Sequence, residues 1–309
     1  MSLKHIADVA LPPHAKPGGF DHAAVHSGRS RVYVAHTAND AIDVLDAATF
    51  QYLHSISGLA GVAGALVSES DDLMFTSNRG ENTVGIFHPD DDAPIVTKVG
   101  VGVRPNGLAY DAERRLLLAA NVGDAAVAAS CTVSIVDVAA RAKVADVPVP
   151  GRTRWAVYDP VAGVFYVNVM EPASIVGIEA GNPARMARVI PIPVAGPHGL
   201  DLDVAPRRLY CACDGGKLLA VAIESGAITN SADLSGVPDV VFLNETLRRI
   251  YVAVGDPGVI DVFDADTLRR LESVATEPGA HTIGFDAARN TVYAFLPKSH
   301  RAAVYADQG

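Results

Sequence analysis

The stretch GPHGLDLDVAPRRLYCACDGGK (Gly196–Lys217) sets an imidazole, His198, between a proline and a glycine at the head of an alternating apolar run. A second apolar run, LYCAC, follows a turn-forming segment of Asp, Pro and Arg. Period-two alternation broken by turn residues is the pattern of two antiparallel strands. The same frame recurs without a gap in six other places. They are FDHAAVHSGRSRVYVAH from Phe20, VAGALVSESDDLMFTSN from Val62, PNGLAYDAERRLLLAAN from Pro105, TRWAVYDPVAGVFYVNV from Thr153, PDVVFLNETLRRIYVAV from Pro238 and AHTIGFDAARNTVYAFL from Ala280. Most copies continue into a third alternating segment, such as AIDVLDAATF, NTVGIFHPD, CTVSIVDVAARAK or GVIDVFDADTLRR, and then a fourth, such as LHSISG or AKVADVPVP.

Four strands per unit, at a period of about forty to fifty residues, predict propeller blades. The expected fold is therefore all-β: one seven-bladed β-propeller domain over residues 1–309. The last copy ends at RAAVYADQG, one strand short, whereas KHIADVALP near the start alternates like an outer strand and has no blade of its own. Completing the seventh blade with it would tie the termini together and hide an exposed edge.

Composition narrows the function. Of 309 residues 49% are apolar and 19% charged, enough for a substantial core and unlike a disordered chain. The net charge of −10 argues against nucleic-acid backbones and anionic membranes as partners, and no apolar run is long enough to cross a bilayer. The three cysteines, Cys131, Cys211 and Cys213, form neither a disulfide framework nor a zinc or haem motif. The start MSLKHIADVALPPHAKPGG lacks the apolar segment of a secretory leader, which implies a cytoplasmic protein, or a periplasmic or secreted one whose leader has been removed.

With the frame fixed, the residue in the position of His198 can be read in every copy: Asp21, Ala63, Asn106, Arg154, His198, Asp239 and His281. In a propeller this position opens the innermost strand, so each copy should send one side chain toward the central channel at the same end. Two imidazoles and two carboxylates are ligand types that hold Zn, Mn or Fe, while an all-oxygen ring would favour Ca. Asp21, Asn106, His198, Asp239 and His281 are thus candidate ligands of a divalent ion. Arg154 suits an anionic group on a small-molecule ligand in the channel, and Asp239 or a histidine could act as general base. Polar residues at these positions also occur simply because propeller channels are wet, and Asn and Asp beside Pro and Gly form turns.

A second row ends the second strands: His36, Asn78, Asn121, Val169, Cys213, Val254 and Leu296. His36 stands where a capping asparagine is usual and is a candidate catalytic residue. His22 would take over from Asp21 if the first copy were out of register by one residue. Arg79, Glu81, Glu171, Lys217, Asp256, Lys298 and His300 lie on the following loops, where they could rim the mouth. The longer segment NVGDAAVAASC could fold over it.

RVYVAHTANDAIDVLDAATF and RIYVAVGDPGVIDVFDADTL resemble YVTN-type repeats, in which a Tyr-Val-x-Asn strand end precedes a TVSVID-like strand. RPNGLAYDAERRLLLAAN and GPHGLDLDVAPRRLYCACDGG also resemble blades of the gluconolactonase and regucalcin-like propeller hydrolases. The second resemblance implies a Glu, an Asn and an Asp holding a divalent cation at inner-strand starts. Asn106 and Asp239 match that pattern, and Asp21 stands in the place of the glutamate. His198 and His281 depart from it, and the blade count differs. The expectation is a metal-dependent hydrolase, lactonase-like, or a lyase; the alternative is a non-catalytic YVTN-type ligand-binding or interaction module.

Overall fold

Each repeat forms a four-stranded antiparallel sheet whose strands pair in chain order, seven sheets in all. The computed structural model describes residues 3–89 and 94–309; the last residue of NTVGIFHPD falls outside them. The inner strands are Phe20–His26, Val62–Ser68, Pro105–Asp111, Thr153–Asp159, Pro197–Asp203, Val237–Asn244 and Thr282–Asp286, and they open blades one to seven. Consecutive inner strands touch around the ring, and the last meets the first. The seventh sheet is assembled from both ends of the chain. Leu3–Ala10 pairs antiparallel with Arg301–Asp307, with Lys4 opposite Ala306 and Val9 opposite Ala302. The expected closure is therefore present, and the β-propeller has seven blades.

The alternation that marks the strands also makes the core. Each sheet buries both faces, and seven apolar clusters fill the seven spaces between consecutive blades. Where the ring closes, Val9, Phe20, Val34, Tyr293, Phe295 and Val304 pack together. The tyrosines of RVYV, RLYC, RIYV and TVYA (Tyr33, Tyr210, Tyr251, Tyr293) are fully buried at second-strand centres. A buried phenol needs a partner for its hydroxyl. Tyr210 donates to the Ala265 carbonyl and Tyr251 to Asp307, each at 2.7 Å. Truncating such a ring would cost on the order of 3–5 kcal/mol.

The arginines of APRR and TLRR have an equally specific use. Asp159, at the end of the fourth inner strand, accepts hydrogen bonds of 2.7 and 2.6 Å from Arg207 of the next blade. Asp203 accepts one of 2.6 Å from Arg248 of the blade after it. Removing either arginine would leave a buried aspartate without its ion-pair partner. We call the face where the inner strands end, and where these ties lie, the lower face. The upper face is where the inner strands begin.

Candidate functional site

At its upper end nearly every inner strand is irregular. In blades one to six the pairing register shifts within the first few residues, as between Pro197 and Leu200 in the fifth. A β-bulge of this kind re-aims a side chain, and here it leaves the residue in the His198 position facing the axis. The glycine after it is needed for a steric reason. A Cβ on Gly64, Gly107 or Gly199 would overlap the main-chain oxygen of Asn106, Arg154 or Asp239 in the following blade. The NG and HG pairs of the sequence thus let adjacent inner strands approach closely. Second-strand side chains satisfy the freed backbone: Asn168 donates to the carbonyls of His198 (2.9 Å) and Gly199 (3.1 Å), and Ser77 to that of Asn106 (2.7 Å).

The polar members of the ring fall into two hydrogen-bonded arcs. In one, Arg79 bridges Asp21 (3.1 Å) and the side-chain oxygen of Asn106. In the other, His198 donates through Nδ1 to Asp214 (2.8 Å) and through Nε2 to Asp239 (3.1 Å), while His281 donates through Nδ1 to the second oxygen of Asp239 (2.7 Å). Arg154 lies 3.3 Å from His198 Nε2 and 3.7 Å from Asp214. Ala63, the apolar member, is fully buried.

Electrostatics follow from this packing. Burial pulls the His198 pKa down, but the carboxylates of Asp239 and Asp214 outweigh it and set the value at about 9. Burial would raise the Asp239 carboxyl, yet His198 and His281 hold it well below the usual carboxylate range. His281 is raised too, its burial outweighed by Asp239. At neutral pH His198 is thus an imidazolium with both nitrogens protonated.

That charge state bears on the expected metal ion. Both nitrogens of His198 are committed as donors, and the carboxylates beside it are already neutralised by imidazole and guanidinium groups. Among the described residues no three His, Cys, Asp or Glu side chains are grouped so as to hold a metal ion. The ring brings Asp21, Asn106, His198, Asp239 and His281 to one opening, but as ion pairs and hydrogen bonds closed around Arg79 and Arg154. In that arrangement these side chains are partnered with one another.

The expected catalytic residues separate in the same way. Asp239 and Arg154 both reach His198. His36 does not join them: it is fully buried, with Nδ1 on Asp43 (2.7 Å) and Nε2 on His14 (2.7 Å). His22 lies just inside Asp21 (3.4 Å) with its ring 4.0 Å from that of Trp155, and burial holds its pKa down. Of the loop residues, Arg79 enters the ring, whereas Lys217 pairs with Asp233 (2.6 Å) and Glu81 with Lys98 (2.7 Å). Asn78 and Asn121 cap locally on Thr83 and Thr132, and Cys213 is buried against Cys211.

Arg104 and Arg152 belong to the same opening and were not among the expected site residues. Each stands two residues before its ring position, where the other blades have Gly19, Gly61, Gly196, Val237 and Gly279. Gly61, Arg104 and Gly196 share the left-handed backbone conformation, with φ of 58°, 56° and 64°. Glycine adopts it freely and arginine at a cost. Arg104 and Arg152 line one cavity of about 560 Å³ at the upper rim, its wall formed by Gly123, Val127 and Ala128 of the long third-blade loop. Neither guanidinium meets a carboxylate or hydrogen-bond acceptor among the described residues. Burial, and then the charges of Arg154, Arg79 and Arg104, lower the pKa of Arg152. The Nε atoms of Arg79 and Arg154 are buried without a partner.

No protein-family model matches the chain, and no curated protein matches it. Among solved structures, a chain described as Kuenenia stuttgartiensis Hydrazine Synthase is similar, with a TM-score of 0.77 at 13% identity over 95% of this chain and 96% of that one. At that identity the likeness extends to the propeller fold alone.

Proposed function

We propose that the upper mouth of the channel recognises a small organic anion, a carboxylate or phosphate ester carrying more than one negative charge. The observation that carries this reading is the gathering of Arg79, Arg104, Arg152 and Arg154 at one opening, with the guanidinium groups of Arg104 and Arg152 in no direct ion pair or hydrogen bond among the described residues. The whole chain carries −10, so this cationic opening runs against the field of the molecule. Guanidinium is the side-chain group best matched to carboxylate and phosphate, through paired donors. Calorimetric titration with citrate and with inorganic phosphate tests the reading. Both should bind the protein, and a variant with Arg104→Ala and Arg152→Ala should lose that binding. Equal affinity in the variant would remove the basis of the proposal.

A catalytic use of the same mouth is supported by one further feature. His281 is anchored through Nδ1 on Asp239, while Nε2 has no partner among the described residues and the side chain is 40% exposed. An imidazole oriented by a carboxylate and open at its second nitrogen is the usual arrangement of a general acid or base. Lactonase-like hydrolysis, or a lyase elimination, of an anionic substrate would use it in that role, with the arginines as the anchor. Loss of turnover in His281→Gln with anion binding retained would identify that use.

A further inference from the structure

Beneath the upper ring the channel changes character. A second cavity of about 560 Å³ is lined by inner-strand residues of all seven blades, and its walls are largely apolar and aromatic. Trp155 meets Phe242 edge-on at 6.3 Å between centroids, and Phe242 is 6.4 Å from Phe285. Tyr110 and Tyr158 complete the aromatic wall. Among the described residues no lysine or arginine lines this cavity; its acidic side chains are Glu69, half-exposed at the rim, and Asp201 within.

Asp201 is the polar exception in its row. Three residues after the ring position the inner strands carry Ala24, Leu66, Ala109, Val157, Asp201, Phe242 and Gly284. Its two oxygens accept one main-chain hydrogen bond each, from Leu202 (2.8 Å) and Leu243 (2.7 Å), and no cation pairs with it among the described residues. An ionised carboxylate offers about four acceptor positions, so two remain. Burial, with Glu245 and Asp203 adding to it, pushes this carboxyl up to about 7, as expected where a positive charge is lacking.

We propose that this lower chamber is a second binding site, for a small organic cation: an ammonium group on an apolar or aromatic body. The aromatic wall would attract the cation through ring faces and cover its apolar part, and Asp201 would supply the counter-charge. Asp201 is within the chamber lining and offers the ligand what the upper mouth withholds. The site is distinct from the anion-binding mouth: the chamber and the upper cavity share no lining residue.

The chain has a single tryptophan, Trp155, which makes the test direct. Trp155 emission would be followed at pH 8.5 while titrating 2-phenylethylammonium, neutral 2-phenylethanol and anionic phenylacetate. The ammonium ion should bind at least tenfold more tightly than the alcohol, and phenylacetate most weakly. In Asp201→Asn the preference for the ammonium ion over the alcohol should vanish while the alcohol still binds. The unmodified protein provides a check that needs no variant: between pH 8.5 and 5.5 the ligand stays charged while Asp201 takes up a proton, so the preference should fall. Equal affinities for the ammonium ion and the alcohol, a preference that survives in Asp201→Asn, or one that does not change with pH would each overturn the proposal. These outcomes are independent of whether citrate binds at the upper mouth.

Discussion

At the upper end of the channel, arginines and imidazolium face carboxylates in a hydrogen-bonded ring. Along the same inner strands toward the lower end, Trp155, Phe242 and Phe285 line one chamber with Asp201. The seven strands are shared, yet the upper mouth gathers four arginines, whereas the lining of the lower chamber carries acidic side chains and, among the described residues, no lysine or arginine. Strand geometry separates them. In blades one to six the bulge near the start of the inner strand re-aims the ring residue, and the residue three positions later lines the lower chamber. One row therefore reads Asp21, Asn106, Arg154, His198, Asp239 and His281, and the other is apolar except for Asp201. A propeller can carry two chemistries in one channel by assigning them to two rows of its repeat.

The contrast can be broken from the upper end first. With Arg104→Ala and Arg152→Ala together, citrate affinity should fall by about a hundredfold, since hydrogen bonds to charged groups contribute about 1.5–3 kcal/mol each. Calorimetry reads this directly, and the loss should be confined to anions.

A smaller effect concerns pH. His198 has a raised pKa, so its pairing with Asp239 and Asp214 stabilises the fold fully below the unfolded value near 6.5 and is lost as pH rises through about 9. Asp239, held low, contributes above the ordinary carboxylate range and loses that contribution as pH falls through its folded value. The two shifts report largely one interaction and are not summed. Denaturant titrations should show stability declining between pH 6.5 and 9 by at most about 3 kcal/mol. His198→Gln should flatten that limb.

Smaller again is the effect of Gly199→Ala. The added methyl meets the Asp239 carbonyl oxygen and Val241 of the next blade, and overpacking of this kind costs about 1–3 kcal/mol. A lowered melting temperature, with weaker citrate binding because Asp239 is displaced from His198, is the expected result. An unchanged protein would mean that close approach of the inner strands is not what sets the ring. The last expectation is no effect: EDTA should leave the melting temperature unchanged, whereas an ion bound to the native state would make it fall.

The fold was legible because seven gapless copies of one alternation leave little freedom, and the closing strand followed from a blade lacking its outer member. The ring was legible because NG and HG mark the bulge that aims it. Its chemistry was less so. Histidines and aspartates have the same letters whatever they meet in the fold, and the partners they pair with, Asp214 and Arg79, follow second strands of the fifth and second blades. His36 shows the same limit: its role is set by Asp43 across the sheet and by His14 from another segment. Arg104 and Arg152 left a trace, as two arginines in a row otherwise made of glycine and one valine.

The anion-binding mouth is tested most directly by an anomalous difference map from crystals soaked in selenate. A peak is expected within hydrogen-bonding reach of the Arg104 and Arg152 guanidinium groups at the upper opening. Selenate bound only at lysines elsewhere on the surface, with that opening holding none, would contradict it.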